Sequence, residues 1–238
     1  MNKIITSAGL AAVAVTGFQG VGKAQTVSVD TAKWWHVNAS LRGFYDDNYT
    51  TATSSSGLKR DSFGVEIRPG FDVGYEGEQY LIKLNTIYSA KWFADRDDNE
   101  WDHNVLTDLA GEYRITENHV LRLNDTFTYS NEGTLLDRGA VITSPVRSDQ
   151  SNIKNNLDFR YDAQLTPLFG LELGYRNRFY DYNPAGDGSF SALLDRAEHR
   201  ARARTRRTLT PNVAGILGYW CAMVRFRDKY LLYPGIPD

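Results

Sequence analysis

The feature that most constrains this chain is a two-residue alternation that returns along segments longer than the strands of ordinary soluble domains. From Trp35 the positions Trp35, Val37, Ala39, Leu41, Gly43 and Tyr45 interleave with His36, Asn38, Ser40, Arg42 and Phe44. Phe63, Val65, Ile67, Phe71, Val73 and Tyr75 then interleave with Gly64, Glu66, Arg68, Gly70, Asp72 and Gly74. A period of two puts each set on its own face of a strand. Comparable segments run from Tyr80 to Trp92, Val105 to Arg114, Leu121 to Tyr129, Ile153 to Leu165, Leu171 to Phe179, Ala197 to Thr205 and Val213 to about Tyr219. Most span roughly 9 to 13 residues, against about 5 to 6 for a soluble strand and about 9 to 11 for a tilted strand crossing a bilayer. Length therefore argues for a membrane.

The connections carry a second signal. Short turns at Glu76-Gly77-Glu78, Thr116-Glu117-Asn118, Thr166-Pro167 and Thr210-Pro211-Asn212 alternate with polar loops at Asp46 to Asp61, Ala94 to Asp102, Asn131 to Asn152 and Asn183 to Asp195. Outer-membrane barrels have this arrangement, with tight periplasmic turns and long outer loops. Aromatics gather at both ends: Trp35, Tyr75, Tyr80, Tyr113 and Phe169 beside the turns, and Tyr45, Tyr88, Trp92, Trp101, Tyr129, Phe179 and Tyr182 beside the loops. Such rings suit the headgroup level on each side of a bilayer. Pro69 removes a ladder donor, so a bulge or local break is expected there. Asp125 and Asn177 fall on the apolar face under strict parity, where a bulge or a neighbouring subunit could accommodate them.

Composition agrees. Hydrophobic residues make up 42% and aromatics 13%, with 14 tyrosines, and the net charge is −2. Near-balance of charge excludes strong bulk attraction to nucleic acid. Residues 1–24 read as a signal peptide: Lys3 precedes an apolar stretch from Ile4 to Phe18, and Gly22-Lys23-Ala24 offers small residues for cleavage. That stretch is too short for a spanning helix. The mature chain, 25–238, is then exported to the outer membrane. Cys221 is the sole cysteine, so no intrachain disulfide forms.

From Trp35 to Tyr219 the chain resembles the β-barrel porin families of Gram-negative bacteria, those linked to exopolysaccharide export operons above all. The resemblance rests on the strand pattern and on turns such as Leu165-Thr166-Pro167-Leu168 and Leu209-Thr210-Pro211-Asn212. It implies an outer-membrane location, lipid, lipopolysaccharide and the barrel-assembly machinery as partners, and passage of solutes or saccharides. It carries over no catalytic residue. The carboxyl end departs from it: Tyr233-Pro234-Gly235-Ile236-Pro237-Asp238 lacks a terminal aromatic, and Arg225 and Arg227 continue the apolar face after Trp220. The expected fold is all-β, an antiparallel up-and-down transmembrane β-barrel that is incomplete, with about nine strands present and 221–238 an aberrant tail left by a frameshift or truncation.

The polar face supplies the candidate lumen residues: Arg42, Glu66, Arg68, Asp72, Lys83, Lys91, Asp108, Glu112, Arg114, Arg122, Lys154, Asp158, Arg160, Asp162, Glu172, Arg176, Arg178, Arg200, Arg202 and Arg204. Charges of both signs on one side suit a wet or salt-bridged interior, because lipid rejects them. Cations outnumber anions, which predicts a mild anion preference in a pore; a plug of ion pairs is the alternative. The basic stretch His199 to Arg207 does not read as a nucleic-acid site, since Arg200, Arg202, Arg204 and Arg206 share one strand face in an exported chain. Asp95, Asp97 and Asn99 open like a calcium loop, but the glycine and closing glutamate are missing, so a solvated loop is expected and no metal or cofactor is assigned. His36, His103, His119 and His199 have no metal-ligand spacing, and no serine sits in a nucleophile elbow, so no enzyme is expected. The leading functional expectation is porin-like passage of small hydrophilic solutes or saccharides. A non-conducting structural or adhesive barrel and a soluble periplasmic ligand-binding β protein are the alternatives.

Overall fold

The computed structural model describes residues 34–50, 59–96, 100–131, 134–136, 143–145, 151–183, 194–210 and 212–226. The expected signal peptide (1–24), the middle of the acidic loop (97–99) and the residues beyond Phe226 lie outside the described residues. In chain order the strands are β1 (Trp35–Asp46), β2 (Ser62–Glu76), β3 (Tyr80–Phe93), β4 (Trp101–Thr116), β5 (His119–Ser130), β6 (Thr134–Leu136), β7 (Thr143–Pro145), β8 (Asn152–Thr166), β9 (Phe169–Tyr182), β10 (Arg196–Thr210) and β11 (Val213–Phe226).

The long strands form one nine-stranded sheet in the order β1-β2-β3-β4-β5-β8-β9-β10-β11, and β6 and β7 pair as a separate ribbon within the β5–β8 connection. Every junction is antiparallel between sequence neighbours of the large sheet. The fold is thus an all-β up-and-down meander, and the sheet is not closed: β1 and β11 each keep a free edge. The strands are 12 to 16 residues long, at the upper end of what strands in globular proteins reach. Their chain order places all short turns at one end of the sheet and all long connections at the other.

Several expectations shift in detail. β4 begins at Trp101, so Trp101 and Asp102 belong to the strand and not to the loop before it. β11 continues through Phe226, past the point where its alternation fails, because both of its faces are rich in apolar residues and either can lie along the sheet. At Pro69 the expected disturbance takes the form of a local break and not a bulge. The β2–β3 register is the same on both sides of it, but pairing lapses between Ile67↔Ala90 and Gly70↔Ile87, as a missing N–H requires. Register shifts do occur beside three short turns, at Arg114/Thr116, Gln164/Thr166 and Thr208/Thr210.

Burial is inverted relative to a water-soluble domain. Buried residues include Glu66, Asp102, Asp158, Ser89 and Asn152, whereas Val37, Leu41, Phe63, Ile82 and Leu217 are exposed, the last by 77%. Exposed large apolar side chains occur on β1, β2, β3, β4, β8, β9, β10 and β11, whereas soluble monomers rarely expose contiguous apolar patches above a few hundred Å².

Candidate functional site: the charged face of the sheet

Register decides which side chains share a face. Arg42 pairs with Glu66 and Glu66 with Lys91, Lys91 with Asp102, Glu112 with Arg122, Arg122 with Arg160, and Asp158 with Arg176, which pairs with Arg200. Following these rows and the two-residue period, every candidate from Arg42 to Arg204 falls on the same face of the sheet. The strand pattern therefore assembles in space what it separates in sequence.

On that face the charges form clusters. Glu66 forms an ion pair with Arg42 at 2.5 Å and accepts from the Ser89 hydroxyl at 2.6 Å, with Arg68 at 3.9 Å. Glu112 is flanked by Arg114 and Arg122, each at 3.0 Å, and Arg122 reaches on to Asp162, which also has Arg160 at 3.8 Å. Asp158 holds Arg176 at 2.9 Å and Arg202 at 3.3 Å, while Glu172 holds Arg202 at 3.2 Å and Arg204 at 3.6 Å. Asp72 accepts from Asn38 and Asn85, and Asp108 from Thr126 at 2.7 Å. Lys154 lies 5.9 Å from the centre of the Tyr182 ring, and Arg178 stands 3.8 Å from Glu198. Lys83 and Lys91 also make interactions on this face.

Glycine makes two of these reaches possible. Arg202 of β10 contacts Asp158 of β8 by lying across β9 at Gly174, where a Cβ would come within 2.4 Å of its Nε. Phe44 of β1 likewise crosses Gly64 of β2 to meet Phe93 of β3 edge-on, ring centres 5.2 Å apart. Tyr49 covers Phe93 from the long connection after β1, and its hydroxyl reaches the Asp95 carbonyl. Phe93 is wholly buried, so the loop end of this face carries a small apolar knot.

The opposite face is apolar with aromatic ends. Tyr75 stacks on Tyr80, Tyr80 pairs with Tyr113, Tyr45 packs on Phe63, and Trp101 stacks on His103. Tyr182 leaves this set: it pairs with buried Asn152 and sits on the charged face. Three histidines occupy the apolar face, each hydrogen-bonded through Nδ1 to a tyrosine hydroxyl: His103 to Tyr88, His119 to Tyr161 and His199 to Tyr175. The unexpected polar residues there are satisfied across strands. Asn155 donates to Asp125 at 2.9 Å, and Asn177 meets His199 at 3.1 Å. Neither a bulge nor a second subunit is needed.

No grouping of His, Cys, Asp and Glu suited to a metal occurs among the described residues. In the acidic loop, Asp102 is engaged by Arg96 at 2.7 Å and Glu100 accepts from the Trp92 indole, while Asp97 and Asn99 lie outside the described residues. Above the sheet, Tyr45 donates to Asp61 at 2.6 Å, and this hydrogen bond, with backbone donation and Lys59 nearby, holds the Asp61 carboxyl below its ordinary range.

Glu198, which holds Arg196 at 2.8 Å, escaped the sequence reading although parity alone would have found it; Arg206, already placed on this strand face by its period, extends the β10 row. Arg96 could not have been found that way, because it reaches the face from a loop. No protein-family profile, curated protein or solved structure matches this chain.

Proposed function

We propose that this chain contributes nine strands to an outer-membrane β-barrel whose charged face lines a water-filled passage for small hydrophilic solutes or saccharides. The observation that carries the reading is the inversion of burial: Glu66 and Asp158 are covered while Val37 and Leu41 are bare. Water favours the reverse arrangement by about 25 cal/mol per Å² of apolar surface, and only lipid against the bare face makes this one stable. The alternating lengths of the connections and the aromatic ends of the apolar face agree with it.

Lipid also bears on the edges. Each unpaired backbone group in hydrocarbon costs several kcal/mol, so β1 and β11 must both be paired there. With nine alternating strands, β1 and β11 run in the same direction. Antiparallel closure therefore takes an odd number of further strands between them.

The density of ion pairs on the charged face favours one alternative, a structural barrel that does not conduct. Planar-bilayer recording on the assembled protein separates the two: stepwise conductance is expected, and a silent membrane together with heat-modifiable gel mobility would leave the non-conducting barrel standing. Loss of heat modifiability and of membrane association would remove both readings.

A further inference from the structure

We infer that the arginine row of β10, together with Trp220 of β11, is a binding track for an anionic saccharide. The inference rests on the passage proposed above and names the kind of solute it takes.

Arg200, Arg202, Arg204 and Arg206 stand at every second position of β10 on the charged face. At about 3.4 Å per residue the guanidinium groups recur every ~7 Å and the row extends for ~20 Å along the strand. On one side the row meets two carboxylates, Asp158 and Glu172, which engage only Arg202 and Arg204. On the other side its register partners in β11 are Ala222, Trp220, Gly218 and Ile216, none of which can neutralise a charge. Arg200 and Arg206 consequently have no carboxylate partner among the described residues, and both are exposed. A row of cations neutralised from one side only presents its free donors to whatever passes on the other.

Trp220 defines the chemistry further. Its side chain lies on the charged face, 63% exposed, with the Arg200 guanidinium 5.3 Å from the ring centre. With Arg200 over the ring and most of the side chain still open to water, the indole suits a ring with an apolar C–H face and a pendant carboxylate, which is the chemistry of a uronic acid unit. Guanidinium groups bind such carboxylates through paired N–H donors. At the turn end the row leads into an open cleft of about 530 Å³, where Arg204, Arg206 and Ile216 share the lining with Glu117, Asp162 and Glu172, so the anion is held along the row and not in the cleft. Several modest sites in series, rather than one tight site, are what a solute in transit requires.

The test is isothermal titration of the full chain, folded in detergent micelles, with oligogalacturonate, a malto-oligosaccharide of equal length, and inorganic polyphosphate. The expected result is saturable, salt-sensitive binding of oligogalacturonate and none of the neutral oligomer. The double variant R200Q/R206Q should weaken binding by about tenfold or more, two charge-assisted contacts at a few-fold each. Neither arginine has a carboxylate to lose, but R200Q gives up the Arg200–Trp220 contact; unchanged heat-modifiable mobility checks the fold, and R206Q alone, which leaves that contact in place, should still weaken binding a few-fold. W220L should weaken oligogalacturonate and leave polyphosphate unaffected. Unchanged affinity in R200Q/R206Q overturns the track. Equal binding of polyphosphate with no effect of W220L overturns the saccharide assignment. Binding needs no conduction, so the two readings fail separately: conductance without binding sinks this proposal, whereas binding without conductance sinks the pore and upholds the track.

Discussion

If lipid covers the apolar face, a single arginine will report it. Leu84 lies on that face in β3, between Val73 and Leu109. It stands four residues from Tyr80, one of the aromatics at the turn end. Four residues at about 3.3 Å each give ~13 Å, and a strand tilt of about 40° projects this to ~10 Å of depth, close to the middle of an apolar band ~25 Å tall. Leu84→Arg should then cost about 2–4 kcal/mol, a change of roughly 30- to 700-fold in the folding equilibrium. Tyr80→Arg, at the interface, should cost about 0–1 kcal/mol. Asn85 supplies the decisive control: it has nearly the depth of Leu84 but points to the charged face, where it donates to Asp72. Asn85→Arg places a cation beside that carboxylate and should cost under about 1 kcal/mol. The assay is guanidinium unfolding of the protein assembled in phospholipid vesicles, followed by tryptophan fluorescence. If Leu84→Arg were as mild as Asn85→Arg, water and not lipid would touch that face, and the membrane reading would fall.

Three further outcomes follow from the same geometry. Phe93→Ala removes a fully buried ring that Phe44 and Tyr49 both contact; a loss of about 3–5 kcal/mol is expected in the same unfolding assay, with Tyr49 becoming open to nitration. Arg122→Gln leaves Glu112 with Arg114 at 3.0 Å and Asp162 with Arg160 at 3.8 Å, so stability should drop by about 1 kcal/mol, a partly exposed pair being screened, and reversal-potential measurements should shift toward cations. Tyr45→Phe deletes the foremost cause of the depressed Asp61 carboxyl. Because a lowered carboxylate stabilises the fold above its unfolded-state range and gives that up as pH falls through its own, the variant should titrate Asp61 at higher pH by carbon-13 NMR and lose that increment earlier on acidification.

The meander was legible in the sequence because a period of two is both the sequence signal and the structural repeat. Nine segments, their order, the turn and loop ends, and the face occupied by each candidate charge all follow from it. What periodicity cannot encode is contact at a distance. Arg202 reaching Asp158 depends on Gly174 between them, and Tyr49 folding onto Phe93 depends on a loop. The ends of strands were less visible: β4 starts at Trp101 because Trp101 and Asp102 pair with Trp92 and Lys91, a fact of the partner strand and not of the local residues. Asp125 and Asn177 looked like violations of parity. They are instead residues whose partners, Asn155 and His199, sit one strand over on the same face.

That last point bears on how a sheet of this kind is held together. With so little apolar material buried, the usual core contributes little, and the ladders and the charged face carry the cohesion of the chain outside lipid. Ion pairs of half-exposed groups are individually weak, yet here each arginine hub ties neighbouring or next-neighbouring strands: Arg122 joins β4 to β8 through β5, and Arg202 joins β8 to β9 and β10. The network thins toward β11, whose face positions opposite the arginine row are apolar or glycine. β11 is therefore held by its backbone ladder with β10 and by Trp220 against Arg200, and it exposes its outer edge along its whole length. An edge strand that is apolar on both faces fits neither water nor a polar lumen by itself. It fits a seam, where one face meets lipid and the other is covered by what pairs beside it or by what passes along the arginines.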